Sequence, residues 1–401
     1  MSAIPSWRAG AAAAARASAP TPEASASTGV REDGRLGVHY VLTLARGEDA
    51  AHKAALIGLE QTVELPRALL TADLADRMAG RVEDVRLSGP RTARATLSYP
   101  VEAIGDDLPQ CLNLLFGNIS LKPGIRIVGI DWPAALLDAF GGPGHGVAGL
   151  RALTGARDRA LLCTALKPIG LPARELAQRC EAFARGGIDI IKDDHGLTDQ
   201  PFCPYRERVV ACADAVARAN AQTGKKSLYA PNITAPVLAI AERVRLAQDL
   251  GAGGLLVAPG LTGFDALRML AADETVNLPL MSHPAWLGSL IVSPDSGVAH
   301  AVIFGQLQRL AGADASIYPN YGGRFAFSRE ECARIAEGCR MSMGRYPPIF
   351  PTPGGGMTLD RIPDLLALYG EDVLFLMGGG LYGRSLDLVD NARYFLSLVG
   401  R

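Results

Sequence analysis

The stretch Gly186-Gly-Ile-Asp-Ile-Ile-Lys-Asp-Asp-His-Gly-Leu-Thr-Asp-Gln-Pro-Phe202 decides how the chain is read. An apolar run at residues 188–191 ends abruptly in Lys192, Asp193, Asp194 and His195, the pattern of a buried strand that delivers polar side chains to its own C-terminal tip. Side chains alternate along a strand, so Lys192 and Asp194 share one face while Asp193 and His195 start on the other. Gly196 offers a break that would let His195 join the first pair. A lysine beside carboxylates is ordinarily half of an ion pair. At a strand tip a second chemistry is open: the deprotonated amine adds carbon dioxide and becomes a carbamate, an anionic oxygen ligand for a metal beside Asp194.

Working outward from this strand, further apolar runs fall at residues 161–166, 227–230, 254–257, 278–281, 315–318, 349–351 and 373–377. Helical patterns lie between them. Pro172 opens one that carries Leu176, Cys180 and Phe183 on one face, and residues 206–221 form another with Val209, Cys212 and Val216 on its buried stripe. Ser328-Arg-Glu-Glu331 fits a capping box. Eight strands alternating with helices over about 240 residues is the period of a (β/α)8 TIM barrel, the fold class expected for residues 146–401. A doubly wound sheet is the runner-up, and no G-x-G-x-x-G follows the first strand. Residues 36–145 mix strands (39–44, 94–99, 125–130) with helices (49–60, and 112–116 as helix or extended run), which predicts a smaller α+β domain of ferredoxin-like kind. Gly141-Gly-Pro-Gly-His-Gly146 reads as the linker, and residues 1–35, rich in Ala, Ser and Pro, as a disordered arm.

Composition narrows the function. Of 401 residues 48% are hydrophobic and 20% charged, and the net charge of −1 gives no basic footprint for nucleic acid or anionic membrane. No apolar run approaches the roughly 20 residues a membrane helix needs. Seven scattered cysteines without C-x-x-C spacing point to a reducing, cytoplasmic setting rather than to zinc or disulfides. A small molecule is the expected partner.

In a barrel, chemistry collects at the C-terminal strand tips. There stand Lys167, Lys192, Asp194, His195, Asn232, His283, the loop 320–324 with Arg324, Gly354-Gly355-Gly356 and Gly378-Gly379-Gly380. Taken singly, Lys167 reads as a solvated strand end, Asn232 as a turn former and His283 as a satisfied loop histidine; their convergence on one rim favours a site. The glycine runs follow the seventh and eighth strands, where barrels bind phosphate with backbone N–H groups, so a phosphorylated substrate is expected.

Lys167-Pro-Ile-Gly-Leu171, Gly187-Ile-Asp-Ile-Ile-Lys-Asp-Asp194, Asn232-Ile-Thr-Ala235 and Gly378-Gly-Gly380 together resemble the large subunit of RuBisCO across residues 36–400. The resemblance implies an N6-carboxylysine at Lys192, Mg2+ or another divalent metal held by Lys192, Asp194 and the residue at 195, Lys167 as an acid/base, and the glycine loops with Asn232 and Arg324 as substrate and phosphate contacts. It also implies a homodimer or a multiple of dimers, in which Glu60, Thr62 and Asn118 of a partner complete the site. Departures matter as much. His195 stands where the family has a glutamate, which leaves a weaker hold on magnesium, a softer metal, or an acid/base role. Ile169 replaces a lysine, His283-Pro284 replaces a phosphate-gripping His-Arg pair, and the loop after the sixth strand holds no lysine. The chain is therefore identified as a RuBisCO-like protein of form IV, not expected to fix carbon dioxide on ribulose bisphosphate.

Form IV members share enolisation of a phosphorylated ketone, with Lys167, His283 and then His195 as the expected bases. The expected substrate is 3-oxo-isoapionate 4-phosphate, decarboxylated or hydrolytically cleaved in apiose breakdown. The alternative is a 2,3-diketo-5-methylthiopentyl-1-phosphate enolase or 5-methylthioribulose-1-phosphate isomerase of methionine salvage, for which Trp286, Leu287 and Phe325 would form an apolar slot. A reading from another class is a non-catalytic binding or regulatory protein.

Overall fold

The computed structural model describes Arg31 and residues 33–400. Most of the expected N-terminal arm lies outside the described residues. Its last part does not behave as an arm: Arg31 N–H donates to the Trp132 carbonyl, and Arg35 already belongs to a strand.

Thirteen strands are named among the described residues. The first four are β1 (Arg35–Thr43), β2 (Arg81–Gly89), β3 (Thr92–Pro100) and β4 (Ile125–Asp131). Then come β5 (Leu161–Ala165), β6 (Ile190–Lys192), β7 (Leu228–Ala230), β8 (Leu255–Val257) and β9 (Leu280–Ser282), followed by β10 (Gly297–Val298), β11 (Ala315–Pro319), β12 (Phe350–Gly354) and β13 (Leu374–Leu376). β4, β1, β3 and β2 lie side by side and antiparallel, with helices after β1 (Ala50–Glu60) and β3 (Leu108–Phe116), the ferredoxin-like α+β arrangement. Period-2 patterning builds it: Leu36, Val38, Tyr40 and Leu42 of β1 are all fully buried. β2 was not apparent in the sequence. It is an edge strand exposed along most of its length, so it carries no buried alternation to read.

β13-β5-β6-β7 and β12-β11-β9-β8 are two parallel four-stranded halves of the barrel. One seam closes through Gly253 N–H to Tyr229 O (2.8 Å) and Leu256 N–H to Pro231 O (2.9 Å). At the other, Gly354 lies against Leu376. Inward side chains such as Ile190, Met281, Ile317 and Leu374 fill the barrel as a core of their own. The segment expected as a linker, residues 141–146, runs directly into a helix that packs on the barrel. Gly146–Thr154 is a helix that sends Val147 and Leu150 into the lower end of that core, and buried Asp314 ties its start by accepting from His145 N–H and Gly146 N–H, both at 2.7 Å. β10, also unforeseen because it is only two residues long, leaves the barrel to pair parallel with β4. Hydrogen bonds as well as chain connectivity therefore join the two parts.

All seven cysteines are free and buried, and no helix among the described residues is long and apolar enough to cross a membrane.

The plug makes a prediction. Leu150 is fully buried in the barrel's lower core, so Leu150→Ala should cost about 2–5 kcal/mol, read as a lower urea midpoint. An unchanged midpoint would mean that the helix does not close the barrel.

Candidate active site

Ile190 points into the barrel, and two residues on Lys192 does the same, only 2% exposed at the mouth. Its Nζ donates to the Asp193 carbonyl at 3.0 Å. Burial, reinforced by Lys167 and only partly offset by Cys163, Asp194 and Asp193, pushes the amine below the ordinary lysine range. Asp194 continues the inward face. One of its oxygens accepts from Lys167 Nζ, and the other lies 2.8 Å from His195 Nδ1. Burial alone would raise this carboxyl, but the bonds from His195 and Lys167 hold it well below the usual carboxylate range. The His195 ring stacks on His283 from the tip of β9, with centroids 4.4 Å apart and planes 10° off parallel. His283 Nδ1 accepts from Ala285 N–H at 3.2 Å, and burial above all pushes this imidazole well below its ordinary range, so that it is neutral.

Asp193 faces the other way, into the layer under the helix Tyr205–Thr223. It and Arg208 are both inaccessible to solvent, joined by Arg208 Nε to Asp193 Oδ2 at 3.0 Å. Tyr229 Oη (2.8 Å) and Asn232 N–H (2.9 Å) also donate to Asp193. Arg208 spends its remaining donors on the carbonyls of Thr198 and Cys203, fastening the loop that follows β6.

Asn232 corrects an expectation. Rather than facing substrate, it is buried and donates to the carbonyls of His195 (3.0 Å) and Leu197 (2.9 Å) while accepting from Thr234 N–H (3.1 Å). It shapes the turn that brings His195 round beside Asp194. Gly196 contributes little by torsion, since it is not among the glycines at positive φ.

These tips open on a cavity of about 680 Å³. Lys167, Lys192, Asp194, His195 and His283 make a polar floor, and Gly355, Gly356 and Gly378–Gly380 form one wall. Gly355 and Gly356 sit at φ 82° and 104°, and a Cβ on Gly356 would come within 2.9 Å of Arg324 N. Gly354 does not take part: it is the last residue of β12 and packs on Leu376. Arg324 reaches the rim, exposed. Trp286, Ile291, Val292, Phe304, Phe325 and Phe327 add an apolar lining, with Phe325 packed against Gly355. Trp286 and Phe325 were expected there, whereas Leu287 is buried outside the cavity. Sequence reading missed Phe304 on a π-turn (Val302–Gln306), Phe327, and Tyr382, whose hydroxyl accepts from Lys167 N–H at 3.0 Å and donates to Ala165 O at 3.1 Å.

Glu60, Thr62 and Asn118 do not line this cavity. Asn118 Nδ2 and Lys122 Nζ both donate to Glu60, at 3.2 and 2.5 Å, forming a polar patch on the N-terminal domain. Thr62 is spoken for differently, donating to Gly58 O and accepting from Gly80 N–H.

Among the described residues no three His, Cys, Asp or Glu side chains are grouped to hold a metal. The unmodified floor offers one carboxylate and two imidazoles. It fits a divalent ion only if Lys192 carries a carboxylate, and a buried amine with a single hydrogen bond, pressed toward its neutral form, suits that modification.

The model of the family described as "Ribulose bisphosphate carboxylase large chain, catalytic domain" matches residues 146–321. A 5-methylthioribulose-1-phosphate isomerase of Rhodospirillum rubrum is 40% identical over 349 residues, 86% of this chain and 91% of that one. The chain belongs to the RuBisCO large-chain family. Within it, this is a RuBisCO-like protein of form IV. The crystal structure of a RuBisCO-like protein from Rhodopseudomonas palustris superposes with a TM-score of 0.83 at 37% identity, covering 92% of this chain and 98% of that one. A 2,3-diketo-5-methylthiopentyl-1-phosphate enolase of Bacillus pumilus is 32% identical over 371 residues, 90% of this chain and 91% of its own.

If the Asp193–Arg208 pair holds the mouth together, Arg208→Met should lower stability by about 3–5 kcal/mol in urea unfolding, because it strands a buried charge. Adding Asp193→Asn should recover part of that loss, and no recovery would rule out the stranded charge as its cause.

Proposed function

We propose that this RuBisCO-like protein enolises a phosphorylated ketose carrying an apolar arm, of the methylthio-sugar phosphate class, in an isomerase or enolase reaction. The observation that carries this is the mixed lining of the cavity: a polar floor and exposed glycine backbone together with the aromatic and aliphatic side chains of Trp286, Ile291, Val292, Phe304, Phe325 and Phe327. The isomerase and enolase relatives support the same reading. A carboxylated apiose-derived substrate is less well supported, since it asks for a cation aimed at its carboxylate. Lys167 is committed to Asp194, Lys192 is pressed toward neutrality, and Arg324 stands exposed at the rim.

The proton chemistry follows from hydrogen-bond direction. His195 Nδ1 is held by Asp194, which leaves Nε2 with its lone pair toward the cavity and orients the ring as a general base. His283 is the reverse case: its Nδ1 accepts from Ala285, so a neutral ring carries its proton on Nε2 and donates. His195 is therefore the better base and His283 a hydrogen-bond donor to the developing enolate oxygen, with the Lys167 ammonium adding positive charge beside it. This order reverses the one expected from sequence. Lys192 as carbamate and Asp194 are the residues that would hold a divalent ion, whose chemistry there is Lewis-acid stabilisation of the enolate. The glycine wall would take the phosphate. The patch of Glu60 and Asn118, outside the cavity of its own chain, would serve the mouth of a second subunit in a homodimer.

In deuterated water the purified protein should exchange the α-proton of 5-methylthioribulose 1-phosphate, and His195→Asn should lower kcat by about 10²–10⁴-fold with a smaller change in KM. Turnover of 3-oxo-isoapionate 4-phosphate alone would sink the substrate class, and exchange with neither compound would return the chain to a binding role. Chelation of divalent ions should stop the exchange. Bicarbonate together with magnesium should raise it in the native protein and not in Lys192→Ala; an equal response of both would exclude the carbamate.

A further inference from the structure

A second cavity, of about 480 Å³, lies at the opposite end of the barrel. Three helices end beside it, Gly146–Thr154, Ala173–Gly186 and Tyr205–Thr223, each followed by a glycine at positive φ: Gly155, Gly187 and Gly224. Arg157, Arg159, Lys225 and Lys226 line it, against a single carboxylate, Asp189. That carboxylate is already used, taking both Arg159 Nη atoms at 2.7 Å and Leu162 N–H at 2.8 Å. Among the described residues no carboxylate pairs with Arg157, Lys225 or Lys226.

Basic residues commonly gather at helix C-termini, and Lys225 Nζ does donate to Arg185 O at 3.0 Å. A carbonyl satisfies an N–H without cancelling the charge, however, so three cations remain without a counter-ion. Burial first, then the neighbouring Arg393 and Arg159, depress the Lys225 amine, and Asp189 opposes them only in part. A Cβ on Gly187 would stand 3.1 Å from Lys225 Nζ, so the glycine keeps the space around the amine clear. The shape and lining narrow the occupant. No aromatic ring faces the cavity and Leu396 is its one large apolar side chain, so nothing is present to stack a nucleobase. The volume suits a small molecule.

We propose that this cavity binds a small, multiply charged anion, of the class of pyrophosphate or a sugar bisphosphate, through Arg157, Lys225 and Lys226. Asp189 sits three residues before Lys192, so the site and the catalytic mouth lie at the two ends of the same short strand, β6.

Calorimetric titration of the full chain with pyrophosphate at fixed ionic strength tests it. Arg157 and Lys226 are exposed, so Arg157→Glu/Lys226→Glu should keep the native melting temperature while weakening this binding at least tenfold. Arg157→Gln/Lys226→Gln should give a smaller loss. Lys167→Met, which alters only the mouth, should leave the site intact and so separates it from any phosphate bound there. Equal affinity in the native chain and the glutamate variant, or displacement of pyrophosphate by chloride at matched ionic strength, would overturn the proposal.

Discussion

A carboxylate taken fully out of water is costly unless it is matched, and the buried pair of Asp193 and Arg208 is the constraint on which the mouth of this barrel rests. The match is unusually complete. Asp193 takes a guanidinium, a phenol and a backbone N–H, and Arg208 in turn holds two carbonyls of the following loop. Because strand geometry places Asp193 outward, it places Lys192 and Asp194 inward. One turn of backbone thus yields an anchor on one face and reactive groups on the other, and neither could shift by a residue without exchanging their environments.

Environment then sorts groups of similar chemistry into different states. Two adjacent carboxylates diverge, one sealed against an arginine and one shared between Lys167 and His195 at a cavity. Two stacked histidines diverge as well: His195 is half-exposed and held through Nδ1 by a carboxylate, while His283 is half-buried and held through Nδ1 by a backbone N–H. The second contact leaves Nε2 of a neutral ring a donor and the first leaves it an acceptor, the division that the proposed enolisation would use.

Much of this was legible in the chain itself, because it depends on short-range periodicity. The eight barrel strands read as apolar runs, and the alternation through Lys192, Asp193 and Asp194 gave the correct faces. What escaped depends on distant partners. β2 is an exposed edge and β10 is too short for a pattern. Asn232 and Thr62 are polar residues near the expected site, but three-dimensional neighbours engage them elsewhere, and no local signal separates such a residue from one that faces substrate. The apolar wall was only partly visible for the same reason: Ile291, Phe304 and Phe327 come from separate segments, and their sequence neighbours do not mark them as sharing a cavity.

The replacement of a family glutamate by His195 gains a physical rationale from this arrangement. A glutamate at that position would set a second anion beside Asp194, and a carbamate at Lys192 would add a third, a crowd of negative charge that only a bound metal ion could balance. An imidazole instead donates to Asp194 and keeps an acceptor toward the cavity, so it relieves the crowding of negative charge while supplying a base. Were a divalent ion bound there, it would have one hard anionic ligand fewer and be held less tightly. For the enolisation proposed above, which moves a proton between carbons and captures no carbon dioxide, that exchange is favourable. It accords with a cavity lined by hydrocarbon as well as by glycine backbone.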